Sequence, residues 1–312
     1  MGIKPIAIAC ICLVSLFFIS GCDMLPNSIP GFGGNDESSV GGVLSASIFA
    51  PSNNGKVLSD YPFKPIVKIK NAGQFEAEGQ TCITGLDKDV FSVFTGCECK
   101  SFKFEKEGAT SEFEPISLEF GSYTVKPQEG DANQQFSAIT RYEYVTDVTA
   151  DLCISNDIYE DCGADPDAGG AIDAKISRVS GGPISIEGVQ ETVSYTGGSD
   201  TVTLIFTINA RKSATGRLIP ESDLNAQCTP VSADETPKVQ AAVREFPITT
   251  PIRCRDAEVS ADSTATIICE AKDISLINAK GQAVFEKGYT VPITFSLRYF
   301  FETVASSKFV VS

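Results

Sequence analysis

From residue 43 onward, apolar side chains recur with a period of two rather than 3.6. Thr201-Val202-Thr203-Leu204-Ile205-Phe206-Thr207-Ile208 sets Val202, Leu204, Phe206 and Ile208 on one face. Phe63-Lys64-Pro65-Ile66-Val67-Lys68-Ile69-Lys70 does the same, with lysines along the outer side. Tyr289 to Phe301 alternates through Val291, Ile293, Phe295, Leu297, Tyr299 and Phe301. Thr, Val, Ile and Phe dominate these runs, Gly, Asn or Pro stand between them, and long amphipathic helices are absent. Short strands with one buried face predict an all-β chain of immunoglobulin-like β-sandwiches.

The chain also repeats. Arg141-Tyr142-Glu143-Tyr144-Val145-Thr146 and its continuation to Ser155 align without a gap on Arg298-Tyr299-Phe300-Phe301-Glu302-Thr303 and its continuation to Ser312. In that register Phe136 meets Ile293, Tyr142 meets Tyr299, Tyr144 meets Phe301, Leu152 meets Phe309 and Ile154 meets Val311. Inward positions fall on inward positions, as a shared fold requires, because a one-residue slip turns every side chain over. Each copy is expected to end in a long strand, bent near its middle around a Thr/Ser-rich stretch. The earlier strands match less well: Asn71 aligns with Asn209 at one offset and the inward faces at another. Ser177 to Gly188, with Gly181-Gly182-Pro183 inside it, marks a boundary near 180. Two tandem sandwiches over 43–180 and 181–312 follow.

Ahead of the first strand, Lys4 precedes an apolar run from Ile6 to Ile19. Fourteen helical residues span roughly 21 Å, short of the roughly 30 Å hydrocarbon core. The length and flanks are those of a signal-peptide core, so residues 1–21 are expected to be removed. Ile19-Ser20-Gly21-Cys22 resembles the lipobox of prokaryotic lipoproteins. The resemblance implies cleavage before Cys22 and a lipid on its thiol, and two acyl chains give a stable anchor where one does not. Residues 22–42, rich in Gly, Pro, Ser and Asn, read as a flexible tether with a reach of roughly 25 Å.

A second resemblance rests on Val67-Lys68-Ile69-Lys70-Asn71-Ala72-Gly73 and its continuation to Gly85. This segment resembles the strand-turn-strand of CARDB-like and related archaeal surface-layer immunoglobulin-like domains. The order of lipobox, Thr140–Ile154 and then Gly181–Val189 is similar to uncharacterised lipoproteins of small-genome archaea. The resemblance implies fold and location, with adhesion or envelope structure as associations. Arg211 stands where the first copy has Gly73, so the turn is expected to differ between the copies.

Composition narrows the function. The 312 residues carry a net charge of −15, and loss of residues 1–21 removes only Lys4, giving −16. Such a balance repels nucleic acid, which needs clustered Lys and Arg. No histidine is present, which removes Ser-His-Asp and Cys-His catalysis and His-containing zinc sites. No tryptophan is present either, which weakens a carbohydrate-stacking reading, although eight tyrosines remain.

Eight cysteines follow Cys22: Cys82, Cys97, Cys99, Cys153, Cys162, Cys228, Cys254 and Cys269. An even count in an exported chain points to disulfides. Proximity favours Cys153–Cys162 and Cys254–Cys269. Cys97 and Cys99, two apart, are near the limit of disulfide reach in an extended strand, so each is expected to pair elsewhere, and Cys82 is a partner for one of them. The remaining first-domain cysteine and Cys228 form a bridge between domains or stay free. The rival reading is a metal site at Cys97-Glu98-Cys99, which lacks a nearby Cys-x2-Cys pair.

Three further motifs approach a site. Ala50 to Val57 has phosphate-loop spacing, but Val57 offers no hydroxyl for Mg²⁺ and strand sequence follows. Asp157, Glu160, Asp161, Asp165 and Asp167 offer oxygen ligands for Ca²⁺, yet Gly169 and Ile176 break the EF-hand pattern, leaving a solvated loop as the other reading. Glu143 and Asp147 are carboxylates on one strand, a pair for acid–base work or simply its polar outer face. No Asn-x-Ser/Thr sequon occurs.

The expectation is a lipid-anchored, non-catalytic cell-surface protein for binding, adhesion or envelope structure. It has a membrane partner through Cys22, a protein or envelope partner, no nucleic acid and no cofactor. A subunit of an envelope secretion or pilus assembly is the alternative, and a carboxylate-based extracytoplasmic enzyme the third.

Overall fold

The computed structural model describes residues 43–50, 56–105, 113–155, 158–164, 170–195, 201–245, 251–275 and 288–312. The lipobox, Cys22 and the tether lie outside the described residues, as do Asp157, Asp165 and Asp167. Among the described residues the chain is all-β and no helix is long and apolar enough to cross a membrane.

The first half contributes β1 (Leu44–Phe49), β2 (Lys56–Val57), β3 (Pro62–Phe63), β4 (Ile66–Asn71) and β5 (Ala77–Thr84). It continues with β6 (Phe91–Ser92), β7 (Cys97–Phe104), β8 (Ile116–Glu119), β9 (Tyr123–Val125) and β10 (Ala132–Ile154). After a single helical turn, α1 (Ile158–Asp161), come β11 (Ala171–Asp173) and β12 (Lys175–Val179). The second half holds β13 (Ile184–Tyr195), β14 (Thr201–Lys212), β15 (Arg217–Ile219), β16 (Lys238–Glu245) and β17 (Arg253–Cys254). It closes with β18 (Ala257–Glu258), β19 (Thr264–Ser275) and β20 (Tyr289–Val311).

The alternation read from the sequence fixes which side chains are inside. Val202, Leu204, Phe206 and Ile208 are buried along β14, as are all six inward positions from Val291 to Phe301 along β20. Burying each such side chain contributes roughly 1.5–3 kcal/mol.

The strand order places these faces in several sheets, nearly all antiparallel. A three-stranded sheet β1-β4-β8 and a small one, β3-β9-β6, belong to the first half; a five-stranded sheet β11-β13-β14-β19-β17 extends from β11 into the second. Between them runs a nine-stranded sheet with the path β18-β16-β20-β10-β5-β7, on which β12, β15 and β2 add at the sides. Its strands come from both sides of residue 180.

At its centre β10 and β20 pair antiparallel over 23 residues each, Ala132 opposite Val311 and Ile154 opposite Tyr289. The ladder has no register shift, so no bulge interrupts it at the Thr/Ser-rich stretch where a bend is expected. These are the repeated segments. Glu143 lies opposite Phe300, its own counterpart in the gapless alignment. Tyr142 lies opposite Phe301, the counterpart of Tyr144, and Tyr144 lies opposite Tyr299, the counterpart of Tyr142. A pseudo-twofold axis therefore passes between Glu143 and Phe300, and the repeat is a paired strand folded against its own copy.

Each long strand serves both halves. Phe63 of the first half meets Phe136 of β10 at 6.0 Å and Phe309 of β20 at 5.0 Å between ring centroids. At the other end, Phe206 of β14 meets Phe295 of β20 at 5.7 Å, and Glu191 of β13 accepts the Cys153 N–H of β10 at 3.1 Å.

The Asn71 turn has a local cause. Asn71 Oδ1 accepts the Gly73 N–H at 2.9 Å, and Asn71 Nδ2 donates to the Phe75 carbonyl at 2.9 Å. A Cβ on Gly73 would stand 1.9 Å from the Tyr144 hydroxyl oxygen, so only glycine fits. In the second half the chain runs straight through Asn209 and Arg211 in β14. It turns later, at Gly216, whose φ of 119° favours glycine and which lies against the Phe301 ring. The turn is thus displaced along the chain.

A buried arginine locks the halves. Arg141 faces Glu302 across the ladder and donates through Nε to Glu302 Oε2 at 2.8 Å. Its remaining donors reach the carbonyls of Asp223 (3.1 Å), Ala226 (2.5 Å) and Thr229 (2.6 Å) in the loop before β16. Gln80 of β5 donates to the Leu224 carbonyl at 2.8 Å. Arg217 donates to Glu302 Oε1 from the solvent side, through Nε at 2.8 Å and Nη2 at 2.7 Å.

Candidate functional site

Asp147, Thr149, Pro292 and Thr294 point outward from β10 and β20 and form the floor of a groove of about 520 Å³. Its walls are built by irregularity. β12 loses register against β10 between Thr149 and Ala150, which leaves Ser177 as the extra residue. β16 loses register against β20 between Val243 and Glu245, which leaves Arg244. A bulge bends its strand and re-aims a side chain, and here both bulges turn residues into the same groove.

The side chains there are polar and mutually engaged. Asp147 pairs with Arg244 at 3.2 Å and accepts a short hydrogen bond from the Ser296 hydroxyl. The Asp147 N–H donates to Ser180 Oγ at 2.7 Å, and the hydroxyls of Thr149 and Thr294 are 3.0 Å apart. Arg244 also lies over the Phe75 ring, 5.5 Å from its centroid, an attraction worth roughly 0.5–1 kcal/mol at an exposed site. Arg178 donates to Gln74 Oε1 at 3.4 Å on the opposite wall. Two guanidinium groups, hydroxyls and an aromatic face suit a polar ligand bearing carboxylate or hydroxyl groups.

Glu143 and Asp147 are separated by four residues along one strand, roughly 13–14 Å at the strand rise. That exceeds the roughly 5–9.5 Å of paired-carboxylate hydrolysis. Glu143 is instead held by Arg298, at 2.6 Å through Nε and 2.8 Å through Nη2.

Of the calcium candidates, Glu160 and Asp161 are described, both in α1. The Asp161 carboxylate accepts a short hydrogen bond from Ser155. Of the phosphate-loop spacing, residues 51–55 lie outside the described residues. Lys56 pairs with Asp131 at 2.7 Å, and Val57 is buried in β2, which runs parallel to β20.

The structure brings every cysteine after Cys22 to bonding distance of a partner. Cys153–Cys162 and Cys254–Cys269 are the pairs that proximity favours. Cys82 takes Cys99, directly opposite it in the β5–β7 ladder, and Cys97 takes Cys228 of the second half. Between Cys97 and Cys99 the strand turns Glu98 the other way. Its carboxylate accepts the Gly121 N–H at 3.1 Å and a short bond from the Tyr123 hydroxyl, not a place beside the sulfurs. Burial and Glu98 together push the Tyr123 hydroxyl well above its ordinary pKa.

One titratable group escaped the sequence reading although its signal was present. In Val189-Gln190-Glu191-Thr192-Val193, Glu191 falls on the inward phase, and it is fully buried between Val189 and Val193. Its Oε2 accepts the Cys153 N–H, and its Oε1 has no hydrogen-bond partner among the described residues. Burial lifts its pKa to about 7, opposed by the Cys153 N–H. Arg178, Arg244 and Phe75 were missed because no short motif unites positions so far apart in the chain.

No protein-family model matches this chain, and no curated protein matches it in sequence.

Proposed function

We propose that this chain is a lipid-anchored cell-surface protein in which two immunoglobulin-like halves form one rigid, non-catalytic binding or envelope-structural module. The groove carries the binding part of this reading: two bulges aim Ser177 and Arg244 into one polar cleft over the central strand pair. Anchoring rests on the Ile19-Ser20-Gly21-Cys22 lipobox and the tether behind it, and on the resemblance to archaeal surface lipoproteins with CARDB-like domains. Four cysteine pairs that account for every cysteine after Cys22 support an exported, oxidised setting.

Two experiments test it. Labelled fatty acid or isoprenoid should enter the wild type and not Cys22→Ser; mapping that finds residues 1–21 retained overturns the anchor. Cross-linking in native membranes should yield a partner with the wild type and lose it with Arg244→Glu, while exposed Arg255→Glu keeps it. Equal cross-linking by all three overturns the groove as the contact surface.

A further inference from the structure

Four of the eight paired cysteines converge on one point. Cys82 of β5, Cys97 and Cys99 of β7, and Cys228 from the loop held by Arg141 place their sulfurs all within 4.8 Å of one another. The two disulfides lie side by side, with Cys97 Sγ 3.7 Å from Cys99 Sγ across the gap between them. Cys82 is buried and the other three are partly exposed. Nothing comparable surrounds Cys153–Cys162 or Cys254–Cys269, since no other group of metal-ligating side chains is this compact among the described residues.

A tetrahedral zinc thiolate has Zn–S distances of about 2.3 Å, which sets its sulfurs about 3.8 Å apart. The Cys97–Cys99 separation already has that value, and the 4.8 Å spread of all four brackets it. Once the two disulfides are opened, side-chain rotation lets each sulfur move to that spacing. Three ligands stand on two paired strands whose register is fixed, Cys82 opposite Cys99. The fourth arrives on a loop whose Asp223, Ala226 and Thr229 carbonyls are bound by Arg141 independently of any sulfur. The scaffold therefore holds the set together after the disulfides open.

We propose that Cys82, Cys97, Cys99 and Cys228 form a single redox-dependent site that takes one soft divalent cation of the zinc class when reduced. A dithiol supplies the electrons. Each protein disulfide takes two electrons and two protons from one dithiol, which closes to its cyclic disulfide, and four protein thiols result. The metal ion then displaces four protons and is bound by four thiolates. Two equivalents of a small-molecule disulfide reverse the step: each accepts two electrons from a pair of protein thiolates and two protons from solvent to become a dithiol. The two protein disulfides re-form and the ion is released, so the junction between β7 and the Cys228 loop is closed by a covalent bond in one state and by a metal in the other.

The test uses the mature chain, reduced with a dithiol, freed of it under anaerobic conditions and titrated with Co²⁺. One Co²⁺ per chain is expected, with thiolate-to-cobalt charge transfer in the near ultraviolet and the red absorption of a tetrahedral all-sulfur site, both removed by Zn²⁺. Oxidised chain should give neither. Cys228→Ser should weaken binding at least about tenfold and change the red bands, while Cys153→Ser with Cys162→Ser leaves them unchanged. Alkylation of the reduced wild type with Zn²⁺ present serves if a variant does not fold. Protection of Cys82, Cys97, Cys99 and Cys228 together, with the other four modified, supports the site. No stoichiometric Co²⁺, protection of a different set, or a Cys228→Ser spectrum like the wild type overturns it.

Discussion

Replacing Arg141 by methionine should cost more stability than any other single change at the junction of the two halves. The guanidinium is almost wholly buried, with 2% of its side chain exposed, and it faces Glu302 at 5%. Methionine fills much of the same volume, so the loss reports polar chemistry more than a cavity. The change deletes one charge-assisted bond to Glu302 and three bonds to loop carbonyls. Glu302 keeps Arg217, which is half-exposed at 54% and only partly compensates the buried charge. Removing one partner of a buried pair typically costs about 3–5 kcal/mol, and the Ala226 and Thr229 carbonyls, which lose Arg141 as donor, keep the value within that range. For a chain of this size that is a fall in Tm of roughly 10 °C. Arg217→Met should cost under about 1 kcal/mol, the usual worth of an exposed pair. Urea unfolding of the three proteins under oxidising conditions measures both. An Arg141→Met loss below about 1 kcal/mol, or one equal to that of Arg217→Met, would refute the claim that this arginine locks the halves.

Glu191 should give a pH signature. Its folded pKa of about 7 lies above its unfolded value, so the folded state binds the proton more tightly, and the associated stability is present at low pH and lost as pH rises through about 4.5 to 7. The full effect is about 3 kcal/mol; Glu191→Gln should raise Tm at pH 8 and leave it unchanged at pH 4, and a constant difference across that range would contradict the assignment. Gly73→Ala places a Cβ 1.9 Å from the Tyr144 hydroxyl oxygen and 2.0 Å from Val43. It should cost about 2–4 kcal/mol in urea unfolding, with partial recovery in Tyr144→Phe, and a loss under about 0.5 kcal/mol would exclude the turn as described. Residues 43–180 and 181–312 produced separately should show no cooperative thermal transition by circular dichroism and should regain one when mixed. A cooperative transition in either piece alone would show that its core does not need the other's long strand.

Burial was legible in the sequence and adjacency was not. A period of two states which face of a strand is apolar, and Val291 through Phe301 obey it at every inward position. The same signal is silent on which strand lies alongside. The repeat could therefore be seen without the pairing of β10 with β20, in which each copy becomes the other's neighbour. Proximity sufficed for cysteines separated by 9 and 15 positions, but Cys97 and Cys228 are 131 apart and meet only because the loop before β16 folds back over β5. The groove drew on residues from five segments and two bulges, and a bulge leaves no mark in hydrophobic alternation. Glu191 is the opposite case: a carboxylate on the apolar phase of a strand could have been found by position alone.

The pseudo-twofold axis separates what the scaffold requires from what one side of it has acquired. Thr149 and Thr294 share a hydrogen bond at 3.0 Å, and their counterparts across the axis, Ser306 and Ser137, share one at 2.9 Å. A hydroxyl pair at that position thus belongs to the paired-strand framework and says nothing about a ligand. Two positions nearer the axis the symmetry fails. Asp147 and Ser296 occupy the groove side as a hydrogen-bonded polar pair, whereas their counterparts are Val304 and Ile139. Val304 stands 48% exposed with no polar chemistry to offer. A strand that only had to hold the two halves together would accept valine on both sides. The aspartate, the arginine that a bulge turns toward it and the serine that a second bulge adds all lie on one side. The proposed recognition role rests on their concentration there, in the groove rather than in the symmetric framework beneath it.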